Sequence, residues 1–111
     1  LAGNEKTVVL LHPPKLLDCM PHYVYVLRSN QDGDNYVGCT SDLKKRLAAH
    51  NNGKVFSTKN RSPLALIYCE LYLNQQDVFR REKFLKSGWG KNYLKRVLRD
   101  YLAHRSKSLG G

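Results

Sequence analysis

The acid at position 82 is the sharpest chemical signal in the chain. Val78, Glu82 and Leu85 recur at i, i+4 and i+7, which puts a carboxylate on the apolar stripe of a helix. A carboxylate drawn toward a core needs a cation. Arg80, Arg81 and Lys83 are its neighbours, so one reading is a half-buried ion pair. The other is a hard oxygen ligand for Mg2+ (or Mn2+), an ion that often takes only one or two carboxylates and fills its shell with water and phosphate oxygens. Arg46 and His50 stand four residues apart, on adjacent turns of one helix face. One phosphate could meet both, the guanidinium countering transition-state charge and the imidazole, which titrates near neutrality, handling a proton. The plainer reading is a solvated arginine and a histidine packed beside Leu43 and Leu47. Tyr25 and Tyr36 bring two phenols to one face of a hairpin, where tyrosines are commonly packing residues. Gly38 shares that face, and a missing side chain weakens a strand unless something approaches closely, which points to a bound ligand there.

Those residues need elements to hold them. The run from His22 to Arg28 alternates Val24 and Val26 with Tyr23, Tyr25 and Leu27, a period-two strand. Asp32-Gly33 marks a turn, and 35–39 returns antiparallel. Thr40 and Ser41 are helix caps and Asp42 suits a first turn, so a helix is expected over 42–51, with Leu43 and Leu47 inward. The polar, basic stretch 53–62 reads as an exposed loop. A third strand is expected over 64–73, with Ile67, Cys69 and Leu71 on one face and Leu66, Tyr68, Glu70 and Tyr72 on the other. Asn74 caps a helix over 76–86, and a last helix over 91–104 carries Leu94, Val97, Leu98 and Tyr101. The expected fold class is therefore α+β: a small three-stranded antiparallel sheet flanked by helices, in the order β-β-α-β-α-α.

Composition narrows the partner. Nineteen Lys and Arg against nine Asp and Glu give a formal charge of +10 over 111 residues, which calls for a polyanion. Ten of those cations fall between Arg80 and Lys107, opposed only by Glu82 and Asp100. Lys45, Lys54, Lys59, Arg61, Arg81, Lys86 and Lys91 are the candidate phosphate contacts. Three cysteines without metal-site spacing support neither a disulfide framework nor a structural zinc, and a reducing compartment, the cytoplasm, is expected. The apolar run 7–11 is too short to span a membrane. One domain is expected over 20–104. Residues 1–19, which precede the only methionine, are an extension dispensable to the fold, and 105–111 are a disordered tail.

Tyr23-Val24-Tyr25, Tyr36-Val37-Gly38, Arg46 and Glu82 in this order resemble the GIY-YIG nuclease superfamily, particularly its small single-domain bacterial (UPF0213-like) members. The resemblance runs from about Pro21 to Leu98. It implies a metal-dependent endonuclease that hydrolyses DNA phosphodiester bonds in repair or recombination, with DNA rather than RNA as partner. It further implies that Tyr25 and Tyr36 line the site, Arg46 contacts the scissile phosphate, His50 assists and Glu82 holds the metal. In that scheme a water activated by the metal or by Tyr36 attacks phosphorus. Two positions depart from the pattern: Tyr23 stands where the first motif has glycine, and Asn92, a candidate for a further site asparagine, lies only ten residues past Glu82. The competing expectations are a nucleic-acid-binding module of the same fold that does not cleave, and a small basic RNA- or ribosome-associated protein.

Overall fold

A computed structural model describes residues 21–110, with side-chain surroundings as far as His104. The expected extension 1–19 lies outside the described residues. Strands β1 (His22–Ser29), β2 (Asn35–Thr40) and β3 (Leu64–Tyr72) form one antiparallel sheet in the order β2-β1-β3. Helix α1 (Leu43–Asn51) and a 3-10 turn (Phe56–Thr58) join β2 to β3; α2 (Gln75–Lys86), α3 (Gly88–Val97) and α4 (Arg99–Gly110) follow. Among the described residues no helix is long and apolar enough to cross a membrane.

The central strand is covered on both faces, so Val24, Tyr25, Val26 and Leu27 are all buried. Alternation sorts them. Val24 and Val26 join Val37, Val78, Leu85 and Leu94 in a core under α2 and α3. Tyr25 and Leu27 join Leu64, with Tyr36, Leu43 and Leu47 packed alongside, on the α1 side. Burying a side chain such as Leu85 contributes roughly 2 kcal/mol.

The expected element order holds, with four local differences. Asp42, rather than Thr40 or Ser41, caps α1, its carboxylate accepting from the Lys45 amide at 3.0 Å. Pairing shifts between Val26 and Leu27: Val26 faces Tyr68 but Leu27 faces Leu66, leaving Ile67 as an extra residue. That bulge moves Leu66 to the face of Cys69 and Leu71 and sends Ile67 into the α2-side core, so the simple alternation expected for β3 fails. The last helical stretch is two helices that meet at Leu98, with no Gly or Pro to announce the break. Finally, α4 continues to Gly110, past His104 where a tail was expected; 99–109 lack any breaker.

Candidate active site

The hairpin register places Tyr25 directly across from Gly38 and Leu27 across from Tyr36, so both phenols stand on the α1 face. A Cβ on Gly38 would sit 2.5 Å from the Tyr25 hydroxyl oxygen, 2.7 Å from its Cζ and 3.1 Å from a ring carbon of Tyr36. What approaches Gly38 is therefore the Tyr25 phenol itself, not a ligand. The glycine lets that ring lie flat across β2 toward α1.

His50 closes this group from the helix. Its ring lies 5.7 Å from Tyr25 and 4.9 Å from Tyr36 between centroids, both edge-on. Its Nε2 is 2.8 Å from the Tyr25 hydroxyl and its Nδ1 is 2.7 Å from the Thr58 hydroxyl. Arg46, one turn earlier and exposed, brings its positive charge beside the Tyr25 and Tyr36 phenols. The neutral ring donates through one nitrogen and accepts through the other, so Tyr25, His50 and Thr58 form one hydrogen-bonded chain whose direction the tautomer sets.

The two faces of α1 thus part company. His50 is wholly buried, so one phosphate cannot touch both Arg46 and His50 as their spacing suggested. Burial, and then the nearby Arg46 charge, hold the His50 imidazole below its ordinary value, so it is neutral at pH 7. Burial pushes the Tyr25 phenol up despite the Arg46 guanidinium nearby. Of the two phenols, Tyr25 is buried and Tyr36 is half-exposed; only Tyr36 and Arg46 are open to a substrate.

Glu82 approaches from the other side of the sheet. Val78 and Leu85 on its helix are buried, whereas the Glu82 side chain keeps 23% of its exposure. The Cys39 thiol donates to Oε1 at 3.5 Å, and Lys86 Nζ lies 3.1 Å from Oε2. Burial first, then Glu82, raise the Cys39 thiol, which also feels Lys86 and Arg46. Glu82 thus stands at Cys39, the residue after Gly38 on β2, where the Arg46 charge is also felt. This is possible because β2 is an edge strand with no neighbour beyond it. Among the described residues no three His, Cys, Asp or Glu side chains cluster to hold a metal. The one carboxylate fits an ion that keeps its waters and takes phosphate oxygens, since its lysine partner is more than half exposed and can swing aside.

The basic candidates divide in the same way. Lys45, Lys54, Lys59 and Lys91 are exposed, and no ion pair holds them among the described residues. Arg61 is engaged by Asp32, Nε to Oδ2 at 2.7 Å, and holds that carboxyl down at about 2. Arg81 meets Glu70 through two bonds of 2.9 Å and stacks on Phe84 and Tyr93 at 4.9 and 4.8 Å. Tyr68 and Tyr72 donate to the same carboxylate. Asn92 is exposed on α3 and makes no side-chain hydrogen bond to the site. Sequence reasoning missed Thr58 and Cys39. Thr58 reaches His50 only because the 3-10 turn folds back, and Cys39 reaches Glu82 across 43 positions; neither pairing has a local signature.

A UPF0213 protein of Streptococcus agalactiae is 41% identical over 68 residues, covering 60% of this chain and 76% of that one. A UPF0213 protein of Staphylococcus epidermidis is 36% identical over 77 residues, covering 68% and 93%. The UPF0213 protein of Bacillus halodurans, solved by NMR in solution, shares 32% identity over 70% of this chain and 85% of its own, with a TM-score of 0.46. The model of the GIY-YIG catalytic domain matches residues 21–105. A match running from the residue before β1 into α4 makes this chain a member of the GIY-YIG family.

Proposed function

We propose that the protein is a metal-dependent endonuclease that hydrolyses DNA phosphodiester bonds, in repair or recombination. The observation that carries the reading is an edge strand, β2, that bears an accessible phenol, Tyr36, beside the exposed guanidinium of Arg46, and whose Cys39 bonds a half-buried carboxylate, Glu82. Tyr36 is placed to hydrogen-bond the attacking water and take part in its proton transfer. Arg46 is placed to donate to the non-bridging oxygens as charge builds there. Tyr25, His50 and Thr58 would touch no substrate; their hydrogen-bonded chain packs behind the Tyr36 ring. Glu82 would hold Mg2+ or Mn2+, which when bound supplies positive charge to the phosphate and leaving oxygens. Lys45, Lys54, Lys59 and Lys91 would grip flanking phosphates, whereas Arg61 and Arg81 already have acids to hold.

The Lys86–Glu82 pair favours a second reading, a binding module in which Glu82 is only an ion-pair partner. Glu82→Gln separates them. The lost pair is partly exposed, with Lys86 more than half in solvent, and is spaced i, i+4, so its removal costs about 0.5 kcal/mol and the variant stays folded. With the carboxylate gone, Mg2+-dependent cleavage should fall at least about 100-fold, the scale of losing one charge-stabilising group, while DNA binding holds or tightens. Full cleavage by folded Glu82→Gln protein would remove the metal assignment. No cleavage by the parent of duplex, branched or single-stranded DNA or of RNA would leave the binding module.

A further inference from the structure

Two aromatic rings stand in solvent to an unusual degree, Phe56 at 84% and Trp89 at 80% exposure. Aromatic side chains dominate the energetics of interfaces they are buried in, so rings left out this far invite a ligand. Both are mounted on firm supports. Phe56 opens the 3-10 turn between buried Val55 and buried Thr58, and Thr58 is bonded to His50. Trp89 lies in the first turn of α3. There Ser87 caps the helix and Gly90 is pressed so closely on the end of α2 that a Cβ would lie 2.1 Å from the Phe84 carbonyl oxygen. Each mount is tied to an element that carries a site residue: Thr58 of the 3-10 turn bonds His50 of α1, and Gly90 of α3 packs on the end of α2, which carries Glu82.

The surroundings of the rings say what covers them. Lys59 Nζ lies 5.1 Å from the Phe56 centroid, with Lys54 exposed nearby in sequence. Trp89 falls between Lys86 and Lys91, both exposed. An apolar protein groove would leave those cations unmatched. A nucleobase offers a flat π-face to the ring and, on the same nucleotide, a phosphate to the cation. We propose that Phe56 and Trp89 are stacking platforms, each taking an unstacked nucleobase of the nucleic acid that the site handles. The proposal rests on the nucleic-acid reading given above. It follows that the favoured substrate presents unpaired bases to the protein.

Trp89 is the only tryptophan, so its fluorescence reports one platform directly. Protein in EDTA, where no turnover can intervene, is titrated with a single-stranded oligothymidylate and with a blunt duplex of equal length. Quenching of Trp89 by the single strand is expected. Phe56→Ala and Trp89→Leu should each raise the single-strand Kd by about five-fold or more and the duplex Kd by less than about two-fold, with Trp89→Phe close to the parent. Saturable binding without quenching, equal losses on both ligands, or Trp89 emission that changes with protein concentration alone, as it would at a face between two copies, would overturn the proposal. Quenching with no cleavage on addition of Mg2+ would uphold the platforms and remove the nuclease. Cleavage of single strands without quenching would do the reverse, and failure to bind either ligand would end both.

Discussion

Tyr25 and Tyr36 are equivalent in the motifs but not in their surroundings, and their phenylalanine variants should separate accordingly. Tyr25 is buried with its hydroxyl committed to His50, so Tyr25→Phe leaves a buried imidazole nitrogen without its partner and should cost about 1–3 kcal/mol of stability. Tyr36 is half-exposed and its hydroxyl has no direct bond to His50, so Tyr36→Phe should melt like the parent yet lose cleavage. Melting curves beside cleavage rates decide this; a stable Tyr25→Phe protein would mean that water replaces the phenol. His50 carries the pH dependence. Its folded-state value lies below the ordinary 6.5, so the unfolded chain binds the proton first and acid favours unfolding. Stability from this group is therefore complete above about pH 6.5 and declines as pH drops below it. The Tm of the parent should fall between about pH 6.5 and 5.5, and a folded His50→Gln variant should lack that component. Equal slopes would place the titrating group elsewhere.

Among the elements, the junction of α2 and α3 is the most constrained. Gly90 sits against backbone, 2.1 Å for a Cβ from the Phe84 carbonyl and 2.4 Å from Leu85 Cα, atoms that cannot rotate away. Gly90→Ala should therefore destabilise by about 3 kcal/mol or displace α3. Gly88, two residues earlier in the same helix, has open space for a Cβ, so Gly88→Ala should be neutral or stabilising by about 0.5–1 kcal/mol. Denaturant midpoints for the pair check the argument, and matched midpoints would show that the helices can part freely. Further along α2, the Glu70–Arg81 pair fixes the helix to β3 one residue before Glu82. The strongest ion pair on this helix thus serves its placement.

For the molecule as a whole, the +10 charge sets the expectation of salt-sensitive nucleic-acid binding. The structure adds which cations remain free. Lys59→Ala, or Lys91→Ala, should lower the slope of log affinity against log salt by roughly 0.9 per lost phosphate contact on duplex DNA. Arg61→Ala should leave the slope nearly unchanged, because that guanidinium is spent on Asp32. A salt series on short duplex with each variant measures this; a flat dependence for the parent would remove the polyanion argument altogether.

Much of this was legible in the sequence because it is local. Alternation put Tyr25 opposite the valines in β1, and the i, i+4, i+7 spacing put Glu82 on the stripe of Val78 and Leu85. Asn74, whose side-chain amide oxygen accepts from the Gln76 and Asp77 backbone amides, marked the start of α2. Four polar motif residues in order were enough to suggest the family. Partnership was not legible, because it depends on contacts between residues far apart in the chain. Nothing local says that Arg81 belongs to Glu70, that Arg61 belongs to Asp32, or that Thr58 holds the far side of His50. The helical spacing of Arg46 and His50 is the same whether they act together or apart. Packing against the sheet buried one and left the other in solvent, and that difference in burial, which no periodicity encodes, divides the side chains open to a ligand from those packed behind them.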